Sequence, residues 1–117
     1  MVDHIYKALR PNEWKQANSV DSFSGSPDDI RDGFIHFSTR SQLETTVAKY
    51  FSSEPSIHIT RYRCDEFSSE QLKWEKSRNG VLFPHLYGSL PRNTHIDHWI
   101  IQQNENGVFD FTALPKD

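Results

Sequence analysis

Cysteine is almost absent from the chain: Cys64 is the only one among 117 residues. That count excludes an internal disulfide framework and any zinc finger built on paired cysteines. A free cysteine usually packs as a small apolar side chain, and Cys64 is expected at the end of a strand and not as a nucleophile. Long apolar runs are missing as well. The first residues, MVDHIYKALRPNEW, hold no apolar leader segment, and no stretch approaches the roughly 20 apolar residues of a membrane-spanning helix. No membrane partner is expected, and the location expected from this pattern is the cytoplasm. Runs of Lys and Arg are missing too, and the net charge is -3 with a pI near 6.0. Proteins that grip long nucleic acids carry a basic face, so such a partner is disfavoured, whereas a small nucleotide-like ligand stays open.

Apolar residues are scarce at 35%, with a mean hydropathy of -0.73. Eight Phe, four Tyr and three Trp make up part of the shortfall. Each ring buries a large area, so a small aromatic-rich core suffices for one domain spanning residues 1–117.

Local patterns divide the chain unevenly. His4–Leu9 reads as a strand, and Pro11 suits the start of a helix over Asn12–Ser19 that turns Trp14 and Ala17 inward. Ser22–Asp32, rich in Ser, Gly, Pro and Asp, reads as a loop. Phe34–Ser38 follows as a strand. Capping-box spacing at Thr39/Gln42 and at Ser41/Glu44 then opens a helix over Ser41–Phe51, with Leu43, Val47, Tyr50 and Phe51 on one face. That helix is expected to lie on the Phe34–Ser38 strand, so that Ile35, Phe37, Leu43, Val47 and Phe51 share one cluster. Beyond it come strands: Ile57–Cys64, Leu72–Lys76, Val81–Gly88, His95–Gln102 and Val108–Thr112, with tight turns at Asn79-Gly80 and Asn106-Gly107. Early helices and late strands predict an α+β fold with a split, mainly antiparallel sheet.

Chemistry concentrates in two segments. In DGFIHFS (32–38), His36 shares a strand face with Phe34 and Ser38. In LKWEKSRNGVLFPHLYGSL (72–90), a hairpin would bring Glu75 toward Phe83, His85 and Tyr87, a carboxylate, an imidazole and a phenol suited to acid–base work. Buried hydrogen bonds that merely fix the strands would use the same side chains. Pro84 removes a ladder donor and marks that strand as an edge or a bulge. His95 and His98 would point to opposite faces of a strand, so no metal site is expected. Asp28-Asp29 reads as a solvated turn.

The stretches DGFIHFSTRSQLETTVAKYF and LKWEKSRNGVLFPHLYGSLP, together with IYKAL and EWKQA near the start, resemble the bacterial family named domain of unknown function nine-five-two. That family in turn resembles a compact ADP-ribosyltransferase-like fold. The resemblance implies a transferase using NAD or another nucleotide as substrate, with no metal. It puts Lys7 at the His/Arg position of the first strand motif and His36 at the Tyr/His position of the second. Glu75 or His85 would take the third position. It further implies that His36 and Tyr87 position the ribose or nicotinamide, that Ser38 helps bind it, and that Lys7 meets a phosphate at the cavity rim. Ala8 stands where that superfamily has Gly. The alternatives are a non-catalytic nucleotide- or metabolite-binding module and a protein-interaction domain.

Overall fold

In a computed structural model, which describes residues 2–77 and 80–116, the chain forms eight strands and three α-helices among the described residues. Strand β1 (His4–Leu9) pairs antiparallel with β4 (Ser56–Arg63), which pairs antiparallel with β8 (Asp97–Gln102). A second sheet has β6 (Leu82–Leu86) between β3 (Ile35–His36) and β5 (Leu72–Lys76), again antiparallel. Two short strands, β2 (Ser22–Phe23) and β7 (Leu90–Pro91), pair separately. The fold is α+β and mainly antiparallel. No helix among the described residues is long and apolar enough to cross a membrane.

The two main sheets meet at one point. Tyr6 and Ser38 exchange backbone hydrogen bonds of 2.8 and 2.9 Å, so β1 runs beside the chain leaving β3. Alternation along β1 gives the first sheet two apolar faces. Ile5 and Leu9 join Phe23, Ile35, Phe37, Tyr62 and Leu86 on one side. Tyr6 joins Leu43, Val47, Phe51, Ile57, Ile59 and Ile101 on the other. The expected single cluster is therefore divided: Ile35 and Phe37 lie across β1 from Leu43, Val47 and Phe51. Helix α3 (Arg40–Tyr50) packs on β1 instead of on β3, and Tyr50 is exposed while Leu43 and Val47 are buried.

Helix starts follow cap chemistry. Pro11 opens α1 (Pro11–Ser19), and the Glu13 carboxylate accepts the Arg10 amide at 3.0 Å. Thr39, not Ser41, caps α3, its side chain accepting the Gln42 amide and Gln42 returning to the Thr39 amide. The segment read as a loop holds β2 and a short helix, α2 (Pro27–Asp32). Ser26 caps it, Asp29 closes the capping box, and Gly33 ends it at φ 85°.

Strand β5 has the expected bounds, whereas β6 and β8 are shorter than expected and β4 is shifted by one residue. Cys64 begins a 3-10 turn after β4. Val108–Thr112 is not a strand: beyond the Asn106-Gly107 turn, where Gly107 has φ 76°, only Phe109 bridges back, to Gln103. Asn79 of the other expected turn lies outside the described residues, although β5 and β6 pair on either side. Pro84 occupies a middle strand in regular register, neither edge nor bulge. Its carbonyl takes the Phe37 amide at 3.0 Å, on the side where β3 ends, so no donor toward β5 is lost.

Candidate functional site

The antiparallel register sets His36 directly opposite His85. Side chains opposite one another share a face, so Phe34, His36, Phe83, His85, Tyr87 and Glu75 gather on one surface of the second sheet. Phe34 lies flat on His85 at 4.0 Å between centroids and sits 4.6 Å from His36 and 5.4 Å from Tyr87. Glu75 Oε1 accepts from the Tyr87 hydroxyl at 2.7 Å and pairs with His85 Nδ1 at 2.8 Å. The Tyr87 hydrogen bond, then that of His85, holds the Glu75 carboxyl below its ordinary range, and Glu75 in turn raises the Tyr87 phenol. With Nδ1 committed, Nε2 of the buried His85 ring has no protein partner among the described residues.

A second network meets this one at His36, and its centre is Asp29. This residue, expected in a solvated turn, is 2% exposed. Oδ2 accepts the Ser26 amide at 2.9 Å and the Lys7 ammonium at 2.9 Å. Oδ1 accepts the His36 amide at 3.1 Å and pairs with His36 Nδ1 at 2.6 Å. Burial pushes the Asp29 carboxyl up, but the His36 hydrogen bond and the Lys7 charge outweigh it and hold the group well below the usual carboxylate range. His36 Nε2 faces Asp32 Oδ2 at 3.0 Å, so both ring nitrogens meet carboxylates. Gly25 lets the chain close over Asp29: its φ is 112°, and a Cβ there would lie 2.5 Å from Asp29 Cβ.

These groups border a cavity of about 210 Å³ between β1, α2, β3 and α3. Lys7, Asp29, His36, Ser38 and His85 line it, with Tyr6, Phe37, Phe51 and Phe83 as aromatic wall. Arg10 and Glu13 reach it from the start of α1. Of the six residues singled out in the sequence, four line the cavity, while Glu75 and Tyr87 stand behind His85. Lys7 is buried, not at the rim, and its ammonium also donates to the His36 carbonyl at 2.9 Å. The Ser38 hydroxyl donates to Thr46 at 3.1 Å. Asp29 was passed over, although Ser26-x-x-Asp29 has the capping-box spacing that found the α3 start.

A separate aromatic cluster lies on the first sheet, beneath α1. His58 on β4 and His98 on β8 share a face, and Nδ1 of one is 2.7 Å from Nε2 of the other. Trp14 stacks on both, at 5.2 and 3.9 Å, and His95 meets its edge at 5.5 Å. His95 precedes β8, so it and His98 do not diverge to opposite faces as expected. Burial lowers the pKa of all three imidazoles. Among the described residues no group of three or more His, Cys, Asp or Glu is arranged to hold a metal ion.

A mainly antiparallel α+β domain with a small cavity of mixed aromatic and charged lining at the junction of two sheets defines the class. The chain belongs to the family described as "Protein of unknown function (DUF952)", which matches residues 4–97. It is similar to crystal structures of protein CC0527 from Caulobacter crescentus, native and double mutant, at 36% identity and TM-score 0.85, covering 92% of this chain and 93% of that one. The solution structure of the same protein matches at 36% identity and TM-score 0.79, covering 90% of each chain. No curated protein matches the chain significantly.

Proposed function

We propose that the chain is a nucleotide-utilising transferase of ADP-ribosyltransferase type that takes the ribosyl end of an NAD-like donor into the cavity beside β1 and β3. The observation that carries the reading is the Glu75–His85 pair. Glu75 fixes Nδ1 and leaves Nε2 of a cavity-lining imidazole to meet a ligand. A carboxylate behind an imidazole orients it and stabilises the charge it acquires as a base. In the step proposed, the bond from ribose C1′ to the nicotinamide nitrogen breaks and its electron pair leaves with nicotinamide. In the same step the acceptor bonds to C1′ and passes its proton to His85 Nε2, so the base contributes to the rate at which nicotinamide is released. Carboxylates near the site favour the positive charge that develops on the ribose ring.

The adjacency of Lys7 and His36 supports the same reading, because they occupy the two strand positions the family resemblance singles out. Size limits the ligand. A cavity of about 210 Å³ is smaller than the roughly 300–1,000 Å³ that encloses a drug-sized molecule, so one end of a dinucleotide enters and the rest stays outside.

Incubation with NAD should raise the melting temperature and release nicotinamide, followed by chromatography. Glu75→Gln, at a partly exposed position, should keep the fold and the ligand-induced stabilisation while slowing release by about 10²–10⁴-fold. A second reading, a non-catalytic binding module, has its own support: His36 and Lys7 are already committed to protein partners. Stabilisation by NAD without any released nicotinamide would establish that reading over the transferase. Absence of both stabilisation and product would sink the two together.

A further inference from the structure

We infer that the cavity binds phosphate-free ribosyl groups more tightly than their 5′-phosphates, and best of all a cationic N-ribosyl pyridinium such as nicotinamide riboside, so that an NAD-like donor binds with its phosphates held outside at a cost in affinity. The inference rests on the reading that the cavity takes a ribosyl group, and narrows its substrate class.

The reason is how the cavity disposes of its positive charge. Three permanent cations line it, Lys7, Arg10 and Arg31. Each already holds a carboxylate: Lys7 with Asp29 at 2.9 Å, Arg10 with Glu13 at 3.2 Å, and Arg31 with both Asp28 at 3.2 Å and Asp32 at 3.0 Å. Arg10 is committed further, to Glu54 at 3.5 Å and to the Tyr50 carbonyl at 3.1 Å. His36, also in the lining, stands between Asp29 and Asp32. Four carboxylates, Glu13, Asp28, Asp29 and Asp32, thus line the cavity beside three permanent cations, with Glu54 outside it.

A phosphate entering here finds every Lys and Arg of the described lining already paired with a carboxylate. Phosphate sites work by presenting uncommitted Arg, Lys or backbone amides toward the anion. Arg31 is the one cation exposed enough to turn, but turning it strips two carboxylates that would then flank the incoming dianion. Juxtaposed like charges penalise the wrong partner strongly. A cationic ribosyl pyridinium meets the opposite situation. Asp28 and Asp32, the solvent-exposed carboxylates of the lining, offer it the opposite charge.

Titration calorimetry of the full chain against nicotinamide riboside, nicotinamide mononucleotide, adenosine and AMP tests this. Within each pair the phosphate-free member should bind at least about tenfold more tightly at low salt, and the gap should narrow as salt screens the carboxylates. The combined change Asp28→Asn with Asp32→Asn should raise affinity for the mononucleotide and lower it for the cationic riboside. Mononucleotides binding as tightly as their nucleosides, or more so, would overturn the inference while leaving the transferase reading in place. Failure of all four probes and of NAD to bind would overturn that reading too.

Discussion

Asp29→Asn exchanges one carboxylate oxygen for an amide and removes the negative charge on which Lys7, His36 and the start of α2 converge. The Lys7 ammonium is left nearly out of reach of water, with neutral oxygens beside it and its counter-charge gone. The new amide is also a donor, and it faces groups that are donors themselves. Removing one partner of a buried ion pair costs about 3–5 kcal/mol, because the other charge is left uncompensated. A chain of this length is stable by roughly 6–18 kcal/mol, so the loss is a large share of the whole. At its size the melting temperature should fall by roughly 10–25 °C. Differential scanning calorimetry near neutral pH reads this directly. Adding Lys7→Met removes the stranded charge, so the double variant should melt above the Asp29→Asn single variant. A single variant within about 2 °C of the parent, or a double variant no better than the single, would refute the argument.

Acid should act through the histidines beneath α1. His58, His95 and His98 are held below their ordinary values by burial, so the unfolded chain takes up more protons than the folded one once pH drops under about 6.5. Stability should be undiminished by these groups above that value and should fall as pH drops toward their folded values; urea midpoints flat from pH 7.5 to 5.5 would contradict this. Gly25→Ala should cost about 2–5 kcal/mol, since the new methyl meets Asp29 Cβ at a backbone angle L residues avoid, whereas Gly33→Ala, with open space around it, should cost only about 1–2 kcal/mol. Equal urea midpoints for the two variants would show that the Asp29 contact is loose.

Local signals were legible wherever local chemistry decides the outcome. The first strand, the Pro11 helix start, the Thr39 cap and the α+β class all follow from side-chain period and cap residues. The α2 segment misled because the Ser, Pro, Asp and Gly that suggest a loop are also what begins and ends a helix of six residues. Pro84 misled for a related reason: a missing amide forbids a middle strand only when the neighbour on that side continues, and β3 stops. The division of the core could not be read at all, because which face of β1 receives α3 is settled by where the chain crosses at Tyr6 and Ser38. Candidate site residues were legible as types, and strand alternation with one hairpin put His85 and Tyr87 on a shared face near Glu75, whereas the pairing of His36 with His85 comes from the β3–β6 register, which no local pattern carries. The helical period turned Trp14 inward as read, and a short window held the Ser26–Asp29 cap, but the Lys7–Asp29 ion pair and the stacking of Trp14 on His58 and His98 join residues far apart in sequence.

Strand order also governs how the domain comes into being. Each of the two motif strands in the first third of the chain waits for a partner made much later: β1 for β4, and β3 for β6. Roughly fifty residues separate each pair, about 2–10 s of synthesis at typical ribosomal speeds. Lys7, Asp29 and His36 all emerge before β4 and β6, whereas His85 emerges within β6 and Tyr87 just after it. The nascent chain therefore carries the ion network's residues first, alongside strand edges with nothing to pair to. Those edges invite contact with neighbouring chains until β6 arrives, so yield during expression should depend on translation speed and chaperone supply more than the finished domain's stability would suggest.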